Sequence, residues 1–430
     1  MRSFFLVFVL AVFLLGTELS MAQAFSPYSR YGLGYLHSDV FSATRGMGGI
    51  ATGYSSSSHI NHTNPASYAD IAITTFEVGA NADALTIKTK DSVYNGVNGS
   101  VNHVALGIPL IRGKWGMSFG LLPYSNVNYR FALSDADTSK VYTGKGSLYQ
   151  VYIGTAYKIK GFSIGINGGY MFGSMDYTKG FTFTDSINAY NVSNVSTLRA
   201  GGFVYNVGVQ YKIRLLKKTN QNSLKNDIFL TIGAQGSSSV KIGSRLSSQW
   251  QRYLSSADGL QQISIDTPLT ITDRAGKIVI PYNFSVGMTV GYENWWMVGL
   301  DFKYAGWSQF QYDLNDHALG DSWRIMLGGC ITPNYESRKF LSRLQFKAGG
   351  YYGASEIIYQ GDHLTEYGGT VGLSVPIVFG ALYREAARFH FSADLGSRSP
   401  GNKDLITENY YRFHFGFTLN NVWFVKRKFD

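Results

Sequence analysis

Between Pro281 and Phe310 the chain reads P-Y-N-F-S-V-G-M-T-V-G-Y-E-N-W-W-M-V-G-L-D-F-K-Y-A-G-W-S-Q-F, two alternating runs joined by Glu293-Asn294. Tyr282, Phe284, Val286, Met288, Val290 and Tyr292 fall on one side of the first run, and Asn283, Ser285, Gly287, Thr289 and Gly291 on the other. In the second run Trp296, Val298, Leu300, Phe302 and Tyr304 oppose Gly299, Asp301 and Lys303. Side chains alternate across a strand, so this is a β-hairpin with one apolar and one polar face. Each run has the roughly 10 residues that a tilted strand needs to cross a bilayer core, and aromatic residues stand at both ends, at headgroup level. The hairpin is that of an outer-membrane β-barrel.

The rest of the chain repeats the pattern. Candidate strands run over 71–87, 101–112, 114–130, 147–159, 161–172, 202–214 and 227–240, then the opening hairpin, then 322–332, 343–353, 366–378, 388–395 and 410–424. The expected fold class is all-β, a transmembrane antiparallel β-barrel of about 14 strands, an even number as in single-chain bacterial barrels. Connections after odd strands are mostly long (88–100, 131–146, 173–201, 241–280, 308–321, 354–365, 396–409), and those after even strands mostly short, down to Gly113 and Lys160. Long extracellular loops and short periplasmic turns have this phase. The short side is basic, with Arg112, Lys114, Lys158, Lys160, Arg338, Lys339 and Arg343, a rim suited to acidic headgroups.

The N-terminus differs. A basic start, an apolar run from Phe4 to Leu15 and Ala22-Gln23-Ala24 form a secretory signal peptide over 1–24, implying Sec-type export and an outer membrane of a Gram-negative bacterium. Residues 25–70 do not alternate and are rich in Gly and Ser, including R-G-M-G-G-I-A-T-G-Y and N-H-T-N-P-A-S-Y. They are too polar to face lipid and too long for a connector, which places them inside the barrel as a plug. The barrel itself is expected over 71–430.

Composition narrows the function. The chain has 49 Gly, 30 Tyr and 28 Phe but 9 Pro and 1 Cys, as glycine-eased curved sheets and aromatic girdles require. Cys330 alone excludes an intramolecular disulfide framework. The net charge of +10 lies in turns, without a nucleic-acid-binding pattern, so no nucleic-acid partner is expected. His103, His390 and His414 lie on strands without a serine-nucleophile signature, so an enzyme is not expected. His59 and His62 lack nearby Cys or carboxylate ligands, so neither a metal nor a cofactor is expected.

The residues resemble the FadL/TodX family of outer-membrane transporters of hydrophobic compounds. Asn64-Pro65-Ala66 resembles the family's N-P-A segment near the end of its N-terminal plug. G-L-L-P-Y-S on the third strand places Pro123-Tyr124 where the family has Pro-Phe-Gly. I-P-Y-N-F-S-V-G and W-M-V-G-L-D-F-K-Y-A-G-W-S resemble the family's hairpin, and the longest loops follow strands five and seven, as in the family. Tyr124-Ser125 in place of Phe-Gly, and a C-terminal third like that of Bacteroidetes-type bacteria, mark a divergent branch.

The resemblance implies uptake of a long-chain fatty acid or similar lipid-like ligand, gathered by loops 173–201 and 241–280, where Trp250, Tyr253 and Leu254 at helical spacing offer an apolar surface. It also implies lateral release through a kink at Pro123-Tyr124. The residues support that point, because Pro123 lacks an N–H and interrupts a strand ladder. Gly46, Gly48 and Gly49, with Asn64, Pro65 and Ala66, belong to the plug. Asp301, Arg324, Lys347 and Arg412 face the lumen. Asp301 and Arg324 fall on neighbouring strands within pairing reach, and buried charges need partners, so this set reads as structural ties between wall and plug. The alternative is a basic site for a carboxylate head group, with Arg324, Lys347 and Arg412 as donors. Expected partners are the lipid bilayer, lipopolysaccharide and a hydrophobic small molecule, with the chain a monomer. The alternative is a FadL-like barrel serving as a structural or partner subunit of an outer-membrane secretion or assembly system, with periplasmic or secretion partners. An open porin is disfavoured by the plug.

Overall fold

The computed structural model describes residues 26–421 except 91, 184–188, 217–226, 256–261, 293–294, 313–317, 338, 379–384 and 402–404. The signal segment, Glu293-Asn294, Arg338 of the basic rim and the end of the last expected strand beyond residue 421 lie outside the described residues. A two-residue strand, β1 (Tyr35–Leu36), precedes the barrel. The wall is built from β2 (Thr74–Lys88), β3 (Val93–Ile111), β4 (Trp115–Ser134), β5 (Thr138–Ile159), β6 (Phe162–Phe183), β7 (Asn191–Leu216), β8 (Ile228–Ser237), β9 (Val240–Ser255), β10 (Gln262–Ile280), β11 (Asn283–Tyr292), β12 (Trp296–Ala305), β13 (Ser322–Ile331), β14 (Gln345–Tyr359), β15 (Asp362–Val378), β16 (Glu385–Ser399) and β17 (Thr407–Asn421).

Neighbours in sequence pair antiparallel, and β17 pairs with β2, so the sheet closes. Two wall strands are each made of two pieces. β8 pairs with the lower part of β7 and β9 with its upper part. β10 pairs with β9, and β11 with β8 and β12. Counting each pair of pieces once gives 14 wall strands, and the pairing Val286↔Phe302 reproduces the register expected of the opening hairpin.

Several segments expected as loops are strand. Much of 131–146, 173–201 and 241–280 continues the ladders, as in Val141↔Ala132, Leu198↔Met175 and Ile242↔Ile278. Above the bilayer the outer face of a strand contacts water and carries no apolar requirement, so the alternation that marks a membrane strand fades while the hydrogen-bonded ladder persists. The wall is therefore lopsided: β4 to β7, β9 and β10 rise into a tall crown, whereas β11, β12 and β13 are short. Trp250, Tyr253 and Leu254 belong to strand β9, opposite Leu269, Ser264 and Ile263 of β10, and not to a helix. Cross-strand pairing overrides their helical spacing.

Outward residues form an apolar band: Phe162, Ile164, Ile166, Tyr170 and Phe172 are exposed on β6, as are Phe284, Val286 and Met288 on β11. Inward, an apolar cluster including Leu33, Val127, Tyr129, Leu148, Met171, Leu198, Ile242 and Trp307 fills the crown.

Candidate functional site: the lumen and its seam

The lower half of the lumen is occupied by the N-terminal segment, and what makes room for it is glycine. An added Cβ at Gly116 of β4, Gly165 of β6, Gly208 of β7, Gly233 of β8, Gly328 of β13 or Gly349 of β14 would overlap Tyr68, Pro65, Asn64, Thr52, Met47 or Gly48. At Gly165 the Cβ would stand 2.6 Å from the Pro65 carbonyl carbon. Backbone approaches backbone around the ring, except at Gly208, which receives the Asn64 and Pro65 side chains, and only residues without a side chain permit either. The segment reciprocates: Gly48 and Gly49 adopt φ of +69° and +81°, and Gly46 would meet Gly372 Cα 2.9 Å from a Cβ.

Polar contacts complete the fit. Asn64 accepts from Ala66 N (3.1 Å), capping the turn Pro65–Asp70, and donates to Thr52 O (2.8 Å) and Val209 O of the wall (3.2 Å). Ala66 is buried. Gly48 N donates to Thr370 Oγ1 (2.7 Å), and Asn206 Nδ2 donates to Thr63 O (2.9 Å). Buried backbone groups need such partners, and here the wall supplies them.

The expected charges are all in the lumen, with different partners from those their spacing suggests. Asp301 accepts from Ala51 N (2.7 Å) and Thr52 N (2.6 Å), so it ties the segment to β12 and does not pair with Arg324. In register Asp301 stands opposite Met326, and Arg324 opposite Lys303. Arg324 pairs instead with Glu366 of β15, which also draws Arg398 (3.3 Å), Arg412 (4.0 Å) and the Tyr410 hydroxyl (2.8 Å). Arg412 further meets Asp394 (3.6 Å) and lies over the rings of Tyr410 and Tyr35. Lys347 donates to Ala43 O (2.6 Å), far from that cluster in its bonding. Burial pushes Asp39 up, but the charge and hydrogen bond of Lys303 at 2.9 Å, together with smaller contributions that include a backbone hydrogen bond, hold it at about 2.

Sequence reasoning missed Glu366, Arg398 and Arg45 as site residues. Glu366 has the inward parity of β15, which was a usable signal. Arg398 lay in an expected loop, and Arg45 in a segment without periodicity. Arg45 donates to Val40 O (2.8 Å), Ser38 O (2.9 Å) and Asn102 Oδ1 (3.1 Å).

Between the segment and the crown cluster lies a chamber of about 340 Å³, bordered by Arg45, Asp83, Lys303, Glu366 and Arg412 on its charged side and by Leu36, Leu122, Pro123 and Tyr124 on another. That second side is a seam. The β3–β4 ladder runs from Ile111↔Trp115 to Val104↔Leu121 and stops. Above it β3 continues against β2 and β4 against β5. The register on β4 slips between Pro123 and Ser125, so Tyr124 is an extra residue, the bulge that a residue lacking an N–H favours. The N-terminal segment enters the seam from inside: Tyr35↔Asn126 and Leu36↔Ser125 pair as β1 with β4, and His37 N donates to Tyr124 O (2.9 Å). Leu121 stands about 20 Å above the turn at Gly113, at about 3.3 Å per residue and a tilt of about 40°. The seam therefore begins near the outer edge of the apolar band. Trp250, Tyr253 and Leu254 are on the crown hairpin, away from the chamber lining.

A family model described as BamG matches residues 2–430. No curated protein matches the chain. Among solved structures, a FadL homologue of Pseudomonas aeruginosa is 13% identical with a TM-score of 0.58, over 90% of this chain and 99% of the other. The Ralstonia pickettii toluene transporter TbuX is 13% identical with a TM-score of 0.56, over 89% and 98%. CymD, a monoaromatic hydrocarbon channel, is 14% identical with a TM-score of 0.53, over 89% and 98%. The fold is thus that of FadL-type barrels, and with its apolar band it implies an outer-membrane location.

Proposed function

The chain belongs to the BamG family, and from its lumen and seam we propose that it is an outer-membrane channel for hydrophobic compounds, exported by a signal peptide over 1–24 into a Gram-negative outer membrane, with residues 25–70 as its plug. The observation that carries this reading is the end of the β3–β4 ladder at Val104↔Leu121 beside a chamber that reaches Pro123 and Tyr124. A hydrophobic solute gains nothing by entering water, whereas keeping apolar area covered is worth about 25 cal/mol per Å². Leu36 and Tyr124 pack against the apolar crown cluster, so an apolar path leads from the crown to the seam without crossing the charged chamber floor. Trp250 and Leu254, half-buried on the β9–β10 hairpin, serve as the outer capture surface, and Tyr253, which is buried, supports it from within. The solved structures of similar fold are titled as toluene and monoaromatic hydrocarbon conduits, which supports the substrate class. β1 is the gate: it occupies the seam, and its departure opens it.

The test is transfer of a fluorescent fatty acid and of toluene into vesicles carrying the reconstituted protein. The double substitution Tyr35→Gly, Leu36→Gly is expected to speed transfer by about tenfold if strand pairing holds the gate with about 1.4 kcal/mol. Transfer equal to that of protein-free vesicles, in both forms, rejects the channel.

A second reading is favoured by the glycine ring: backbone packed on backbone around the lumen, with β1 in the seam, is the construction of a barrel that stays shut and serves as a partner subunit of an outer-membrane assembly. Co-migration with other proteins at fixed stoichiometry after mild extraction, with no transfer, selects it.

A further inference from the structure

The seam has two flanks, and the fold treats them differently. The β4 flank is capped by the N-terminal segment. Tyr124 O accepts from His37 N, Asn126 and Ser125 pair with Tyr35 and Leu36, and Ser29 Oγ both donates to Asn128 O (2.9 Å) and accepts from Asn128 N (3.2 Å). The β3 flank, residues 93–103, pairs with β2 on one side, and among the described residues it has no backbone partner on the other. An uncapped edge presents a row of N–H and C=O groups that only another strand satisfies well.

Natural barrels and sheets blunt such edges with charge, proline or bulges. β10 shows the practice: among the described residues it pairs with β9 and otherwise makes one bridge, Val279↔Gln311, and it carries Pro268, Asp273, Arg274, Lys277 and three slips of register. From Val93 to Val101 the β3 edge carries none of these, and a bulge at Asn102 marks its lower end. Residues 93–102 read V-Y-N-G-V-N-G-S-V-N, without a charge or a proline, and the strand keeps its register with β2 from Val93 to Val101. Its outward face repeats Val93, Val97 and Val101, each exposed. Ser100 Oγ on this flank and Ser125 Oγ on the other are buried atoms without a hydrogen-bond partner among the described residues.

We propose that the upper β3 edge, residues 93–101, is a docking edge for an extended segment of another polypeptide, which adds to the barrel as a strand. The occupant follows from chemistry and continuity. A bare edge without charge selects backbone pairing with an uncharged, valine-compatible strand. The other flank of the same seam already takes a strand, β1, in this mode. The seam starts at the outer edge of the apolar band, at Val104↔Leu121, and the edge from Val101 to Val93 rises above it, where lipid tails do not cover it. The inference does not depend on whether the lumen conducts, so the transfer assay and the test below fail independently.

The test is hydrogen exchange of peptides spanning 93–103, compared between full-length protein extracted from its own outer membranes in mild detergent and the same protein purified alone. Docking predicts exchange at least about tenfold slower in the extract, with β2 peptides unchanged. Val97→Lys, on an exposed outward position, is expected to abolish that protection while leaving the heat-unfolding temperature of the purified barrel unchanged. Val93→Lys serves if Val97→Lys lowers it. Equal exchange in extract and purified protein overturns the proposal. So does protection in the purified protein: if it is independent of concentration the chain's own residues cover the edge, and if it grows with concentration a second copy does.

Discussion

Oδ2 of Asp301 lies 2.6 Å from the backbone nitrogen of Thr52 and accepts its hydrogen, with Ala51 N at 2.7 Å on the same oxygen. One wall carboxylate thus holds two successive N–H groups of the lumen segment. Asp301→Ala leaves both unsatisfied, at about 1–3 kcal/mol each for buried donors, whereas Asp301→Asn keeps one accepting oxygen. The expected result is an N-terminal segment that becomes protease-sensitive in the Ala variant and much less so in the Asn variant, with the barrel intact. Equal sensitivity of both to wild type removes Asp301 as an anchor.

Gly165 and Gly168 lie on the same strand and face opposite ways. A methyl group at Gly165 would stand 2.6 Å from Pro65 backbone atoms, and at Gly168 it would meet nothing within 4 Å. Gly165→Ala is expected to push the segment off the wall at a cost of about 1–3 kcal/mol, as overpacking does. Gly168→Ala is expected to be neutral or to stabilise by about 0.4–1 kcal/mol. Thermal unfolding of the two purified variants in one detergent checks the contrast.

Glu366 is the shared acceptor of Arg324, Arg398 and Tyr410, with Arg412 at 4.0 Å. Glu366→Gln strands buried guanidinium groups, which typically costs about 3–5 kcal/mol. Asp266→Asn breaks the Arg252–Asp266 pair on the solvent-exposed crown and is expected to change little, as surface pairs do. Similar losses of unfolding temperature in both variants contradict this account.

His62 gives the segment a pH dependence. Burial depresses it to about 4, Asp39 opposes that shift and Lys303 adds to it, and Tyr152 packs on its ring at 4.4 Å. A released segment takes the proton near 6.5, the packed one only near 4, so the packed state is fully stable above about pH 6.5. It loses about 1.4 kcal/mol per pH unit per such histidine as the pH falls, and the loss levels off below about 4. His59, likewise depressed by burial, steepens the slope. Protease accessibility of residues 26–70 is expected to rise between pH 6.5 and 4, and less steeply in His62→Gln.

Much of the wall was legible because lipid imposes a rule on sequence. A strand between bilayer and lumen must alternate, so β6, β11 and β12 are visible in their residues, as is the number of wall strands. The lumen-facing positions of Asp301, Arg324, Lys347 and Arg412 follow from the same parity. The crown strands were not legible, since water on their outer face removes the lipid-facing apolar row and the inward cluster takes apolar residues from many strands, a few from each, and Trp250, Tyr253 and Leu254 read as helix for want of their β10 partners.

Partner choice inside the barrel was beyond the sequence. Parity says that Asp301 and Arg324 point inward, but curvature and the presence of the N-terminal segment send one to Thr52 and the other to Glu366. Pro123 announces a weak point in a ladder, and only the closed sheet shows that β3 and β4 separate at Val104↔Leu121 and that Tyr35 and Leu36 fill one flank. The alternation, the strand number and the inward parity of Asp301, Arg324, Lys347 and Arg412 were written in the residues, because those are local consequences of period-two geometry in an apolar solvent. The glycine ring, the charge partners and the uncapped edge came from the closed barrel, because each depends on how backbones tens to hundreds of residues apart are placed against one another.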